Sequence, residues 1–187
     1  MMRQLNINHG SEMLHTLSLA TLPTLMIIAA LIDVSSLRIP NWLTGLTALL
    51  FFPMALLTGM PLGEFGWHLL AGASLFFAGY ALFSFGLFGG GDAKLMAAAG
   101  LWFGTSQTMS FLILTALAGG LLAVAYGFWA IFVLLLDYHG TEKTDGTAAG
   151  FIKSIKAITP KLPYGFALAV GAILAFPQTW WMQGTLV

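Results

Sequence analysis

Apolar residues gather in six runs, separated by short polar or glycine- and proline-rich stretches. The runs are Leu17–Ser36, Trp42–Met60, Phe65–Phe88, Asp92–Phe103, Met109–Leu136 and Leu162–Trp181. A membrane-spanning helix needs about 20 predominantly apolar residues at 1.5 Å each. The first three runs and the last have that length. The fifth is longer, which predicts tilt or continuation beyond the bilayer. The fourth is short and spans only a thin stretch of membrane or a water-filled recess. The pattern predicts an all-α polytopic membrane protein, a bundle of about six transmembrane helices.

The breaks between runs are chemically specific. Ile39-Pro40-Asn41 ends the first helix, because proline lacks an amide donor and restricts the residue before it. Gly89–Gly91 reads as a bare, flexible connection that lets another backbone approach. Gly104-Thr105-Ser106 reads as a turn. Residues 1–16 form a polar N-terminal tail, and 17–187 form a single transmembrane domain with a polar loop at 139–161. Within that loop Phe151, Ile152, Ile155 and Ile158 share one helical face and Lys153 and Lys156 another. This is the pattern of an interfacial helix, with a solvated linker as the alternative.

Composition agrees with the membrane reading. Of 187 residues, 58% are hydrophobic and 7% charged, against roughly a quarter charged in soluble domains. A net charge of +0 gives no bulk field for nucleic acid, and none is expected as a partner. The chain has no cysteine, which excludes disulfides and thiolate chemistry. The four histidines, His9, His15, His68 and His139, lack metal-site spacing, so neither metal nor cofactor is expected. Arg38, Lys94, Lys143, Lys153, Lys156 and Lys161 fall in loops on one side, and Arg3 alone on the other. By the positive-inside rule the first side is cytoplasmic and both termini face outward.

Two carboxylates stand out in so apolar a chain. Asp33 lies near the end of the first run and Asp92 opens the fourth. Ionisable groups at membrane depth are expensive and mark candidate sites. The predicted crossings put both on the cytoplasmic side, where contact is permitted. A close pair shares a proton, giving one base and one acid able to activate water and protonate a leaving group. Several other readings stand beside this one. The aspartates could serve an ion- or proton-coupled transporter, or Asp92 could be a helix N-cap and Asp33 a partner of Arg38. Asp137 is a third acid, placed as a boundary residue. Trp42, Trp67, Trp180 and Trp181 read as interfacial anchors.

Three motifs narrow the choice. Asp33 is followed by Ile39-Pro40-Asn41-Trp42-Leu43-Thr44. Gly89-x-Gly91-Asp92-x-Lys94-Leu95 follows, and Pro163-Tyr164-Gly165-Phe166-Ala167 opens the last run, with Gly171 beyond it. In this order the chain resembles the small type IV prepilin peptidases, the Gly-x-Gly-Asp aspartic membrane proteases of tight-adherence and related pili. The resemblance implies that Asp33 and Asp92 are the catalytic pair of an endopeptidase in the bacterial inner membrane. It implies that the enzyme removes leader peptides from prepilin or pseudopilin substrates held in the bilayer, at the cytoplasmic face. Gly89, Gly91, Lys94, Pro163, Tyr164 and Gly165 are then expected to shape the site or meet substrate; for Lys94 the favoured partner is lipid phosphate. Ser35 and Ser36 stand where relatives often carry a basic residue. Methyltransferase activity, found in larger relatives with cysteine-bearing domains, is not expected.

Overall fold

A computed structural model describes residues 2–137 and 162–183. The loop at 139–161, with its expected interfacial helix, lies outside the described residues. The protein is all-α. The helices are α1 (Met2–Ser36), α2 (Asn41–Leu57), α3 (Leu62–Ser84), α4 (Gly90–Asp137), α5 (Tyr164–Ala175) and α6 (Trp180–Gln183), with a 3-10 turn at Phe176–Gln178. Thr16–Ser36, Leu62–Ser84 and Gly90–Val133 are long and apolar enough to cross a membrane. Asn41–Leu57 and Tyr164–Gln178 are shorter apolar helices. The chain is therefore a polytopic all-α membrane protein. Helix α1 begins at Met2, so residues ahead of the first apolar run are helical too.

Each helix stops for a local reason. At the end of α1, Leu37 takes a left-handed conformation (φ 53°) and its N–H donates to the Asp33 carbonyl at 2.8 Å. The Ser36 hydroxyl donates to the Ile32 carbonyl at 2.8 Å and lies 3.1 Å from the Arg38 carbonyl. Pro40 then caps α2. Helix α3 closes at Ser84, and the chain reverses through Gly86 at φ 71°. The turn thus falls earlier than the glycine run suggests. Gly90 and Gly91 already belong to α4, whose first bond runs from the Ala93 N–H to the Gly89 carbonyl at 3.1 Å.

Helix α4 has two arms, 90–103 and 105–137, separated by Gly104 at φ 63° and ψ 176°. Phe103 and Phe111 stack with centroids 4.7 Å apart. Eight residues along a straight helix span about 12 Å, so the chain folds sharply at Gly104. This is the turn expected at Gly104-Thr105-Ser106. A side chain at Gly104 would also strike the buried His68 ring, with Nε2 2.9 Å from the added Cβ. His68 is held by its Nδ1 contact of 2.6 Å with the Leu101 carbonyl.

The chain divides into two compact units, one of residues 1–118 and 163–187, the other of 119–162. In the second, the described part is the end of α4, where Leu121, Val124, Phe128 and Trp129 present an exposed apolar surface. The first unit holds the core. Helices α1 and α5 pack along each other, and Leu22, Met26, Ala29, Leu168, Ala169 and Ala172 are buried there. Further from the aspartates lies an aromatic cluster of Phe51, His68, Trp102 and Trp181. The Trp102 indole donates to the Thr47 carbonyl at 2.9 Å, and the Trp181 indole to the Trp102 carbonyl at 2.8 Å. Trp181 is 1% exposed and belongs to the core, not to the interfacial belt expected of it. Its apolar ring is buried because its one polar atom finds a backbone partner there. Trp42 and Trp67 are exposed.

Candidate functional site

The three motifs converge within the first unit. Asp33 lies in the last turn of α1 and is 4% exposed. A carboxylate there meets the unfavourable, negative end of its own helix dipole. Another helix compensates. The start of α5 points its free amides at the Asp33 carboxylate, which accepts a hydrogen bond from the Phe166 N–H at 3.2 Å and a second from Gly165. The first amides of a helix have no partner inside it and are a ready anion site.

This explains the composition of the last motif. Pro163 is the N-cap of α5, at a place where a missing N–H costs nothing. Gly165 leaves room for the acid: a Cβ there would stand 2.8 Å from Asp33 Oδ2 and 2.9 Å from its Cγ. Tyr164 begins α5, and its ring lies against Phe88, with centroids 5.3 Å apart. That pair ties the start of α5 to the residue just ahead of the Gly89–Gly91 run.

Asp92 is held by its own helix. It is the third residue of α4, and the N-cap is Gly89, not Asp92. The acid reaches back to the Gly89 N–H, as the third residue of a capping box does. A Cβ at Gly89 would sit 2.6 Å from Asp92 Oδ2, so this glycine also makes room for a carboxylate. Asp92 is half-buried and lies close enough to Asp33 for the two charges to act on each other.

Gly91 serves a different contact. A Cβ there would meet the Cβ and carbonyl oxygen of Ile39 at 3.0 Å and its nitrogen at 3.4 Å. The start of α4 thus rests directly on the link between α1 and α2. Lys94 points to the same link, donating to Asn41 Oδ1 at 2.8 Å across an exposed surface. Its structural partner is a side chain of the first motif. Among the described residues no group of three or more His, Asp or Glu side chains gathers to hold a metal.

The sequence points to Asp33, Asp92, the glycines and the Ile39-Pro40-Asn41 break, but two contacts are visible only in the structure. One is the packing of Ile39 against both helix starts; the other is the Phe88–Tyr164 ring pair. The available signal was a glycine at the second position of a helix opening, where a residue with better helix propensity is otherwise expected.

Comparison with curated proteins and with solved structures returns no match. Residues 20–124, more than half of the chain, match the type IV leader peptidase family. Asp33, Asp92 and the link between α1 and α2 all lie within the matched residues, whereas the start of α5 lies outside them. In a polytopic membrane protein that match decides the assignment: the chain belongs to the type IV leader peptidase family and is an aspartic endopeptidase that cleaves prepilin leaders at the membrane.

Proposed function

We propose that Asp33 and Asp92 are the catalytic pair, that they face the cytoplasm, and that the chain crosses the inner membrane six times. The observation that carries the assignment is the meeting of two carboxylates at two adjacent helix starts. Each is hydrogen-bonded by backbone amides, and among the described residues no cation forms an ion pair that would occupy its oxygens. Two carboxylates that feel each other's charge cycle with one proton between them. The ionised carboxylate takes a proton from water as the water oxygen attacks the scissile carbonyl carbon. The protonated partner gives its proton to the carbonyl oxygen. Collapse of the tetrahedral intermediate breaks the C–N bond, and the dyad returns a proton to the leaving amine. Such a pair gives a bell-shaped pH–rate profile whose two limbs belong to the dyad.

The cytoplasmic assignment rests on the loop lysines and Arg38. Prepilin or pseudopilin substrates would reach the pair from the bilayer with the cut segment extended, because a helix hides its carbonyls in internal bonds. The remaining motif residues act on the pair's geometry: Gly89 and Gly165 make room for the acids, Pro163 and Tyr164 set the start of α5, and Gly91 and Lys94 seat α4 against the link. The decisive experiment is cleavage of a membrane-embedded prepilin by purified Asp33→Asn and Asp92→Asn proteins. Each should lose cleavage while accumulating in the membrane like wild type. Substantial turnover by either variant would remove that residue from the chemistry.

A further inference from the structure

We infer that Ile39 is a positioning residue that sets the separation of the two carboxylates, a role that rests on Asp33 and Asp92 being the catalytic pair. Ile39 is 8% exposed and occupies the short link between α1 and α2. Its backbone is constrained on both sides, by the left-handed Leu37 and the Ser36 hydroxyl at Arg38 ahead of it and by Pro40 behind it. Its Cβ and backbone face the open side of Gly91, and its Cδ1 faces the open side of Gly165. A Cβ added at Gly165 would lie 2.5 Å from that Cδ1. One side chain therefore stands between the two helix starts that carry the site.

The chemistry of these neighbours makes the contact consequential. Gly91 is adjacent in sequence to Asp92, and Gly165 donates to Asp33. Neither has a side chain that could change rotamer to absorb a displacement. In a close-packed interior a shift at Ile39 must then pass into the backbones of α4 and α5. Those backbones hold the amides that fix Asp33 and Asp92. Among the described residues, the charged groups on the elements packed around Ile39 are Asp33 on α1, Asp92 and Lys94 on α4, and Arg38 beside it in the chain.

The test is steady-state cleavage of a membrane-embedded prepilin across pH by Ile39→Ala and Ile39→Val, each normalised to folded protein. Ile39→Ala keeps the Cβ and backbone that face Gly91 and removes the Cγ and Cδ1 atoms, the end that faces Gly165, so the start of α5 loses its stop against the link. The substitution should lower kcat by about ten- to a hundredfold, the scale of an ångström-level misplacement of reacting groups. KM should stay within about threefold. The separation between the limbs of the pH profile should change, because the coupling of the carboxylates depends on their distance. Ile39→Val should restore most of the rate. Wild-type kcat and profile in Ile39→Ala would overturn the inference. So would a loss that disappears on normalisation and leaves the profile unchanged, since that is plain packing.

A second comparison serves if Ile39→Ala does not accumulate. Ile39→Val removes Cδ1 alone, the atom a Cβ at Gly165 would strike. It should slow the wild-type protein slightly and speed the Gly165→Ala protein. Effects of the same sign in both backgrounds would overturn the inference. Failure of the underlying dyad reading looks different: Asp33→Asn or Asp92→Asn would then keep cutting.

Discussion

Gly165→Ala adds one methyl group and tests whether the start of α5 holds Asp33 in place. Besides Ile39 Cδ1, a flexible side-chain end 2.5 Å away, the new Cβ would lie 2.8 Å from Oδ2, whereas ordinary contact begins near 3.4 Å. The carboxylate must therefore retreat by about 0.6 Å, the difference of those distances. Its bond from the Phe166 N–H is already long at 3.2 Å. The same retreat along that direction takes it to about 3.8 Å, beyond a hydrogen bond. Hydrogen bonds to charged groups are worth about 1.5–3 kcal/mol. If that sum is lost from the transition state, at about 1.4 kcal/mol per factor of ten, cleavage slows by roughly ten- to a hundredfold. Alanine favours a helix over glycine by about 1 kcal/mol, so the variant should still fold and accumulate. The assay is the initial rate of prepilin cleavage at equal folded protein in matched bilayers. A rate within twofold of wild type would refute the cradle, since the carboxylate would then have moved without consequence.

Three further outcomes are expected. Gly91→Ala should reduce cleavage severely, because its methyl meets Ile39 backbone at 3.0 Å, while Gly90→Ala, whose methyl meets only the Phe83 ring at 3.5 Å, should stay near wild type; equal rates at equal membrane abundance would contradict this. Trp102→Phe removes the donor to the Thr47 carbonyl and should cost about 1–3 kcal/mol in a denaturation measurement. Turnover per folded molecule should hold, since Trp102 stands about 15 Å along α4 from Asp92; a fall in turnover would link the aromatic cluster to the site. A cysteine in place of Gly146 should be labelled only from the cytoplasmic side and one in place of His9 only from outside, and reversed labelling would place the aspartates on the wrong face for leader removal.

What was readable in the sequence was local. Apolar runs of the right length give helices, and proline or glycine at their edges gives the turns, as at Pro40 and Gly104. The identity of the two acids was readable because carboxylates are rare and costly in such a chain. What was not readable depends on tertiary placement. The bond between the Phe166 amide and Asp33 joins residues 133 apart in sequence, and no periodicity reports it. Three glycines in a row at Gly89–Gly91 suit a linker. The helix nonetheless starts at Gly90, because Asp92 captures the Gly89 amide and the Ile39 link packs against the first turn. Trp181 reads as interfacial from its place at the end of the last apolar run, yet its indole is buried on the Trp102 carbonyl.

The two acids of the pair are held by opposite arrangements of one physical device. Asp92 lies at the favourable end of its own helix and bonds an amide three residues back, so its position is set in cis by Gly89 and α4. Asp33 lies at the unfavourable end of its own helix and depends on α5 for its amides, so its position is set in trans. The pair can form only where the starts of α4 and α5 meet. Phe88 with Tyr164 and Ile39 with its two glycines make that meeting. A change confined to Gly89 should therefore disturb Asp92 alone, and a change at Gly165 should disturb Asp33 first. A shift at Ile39 reaches both, because it bears on both helix starts. The geometry of the proposed pair is thus a property of helix docking, and the sequence encodes it in glycines placed where carboxylates and Ile39 need room.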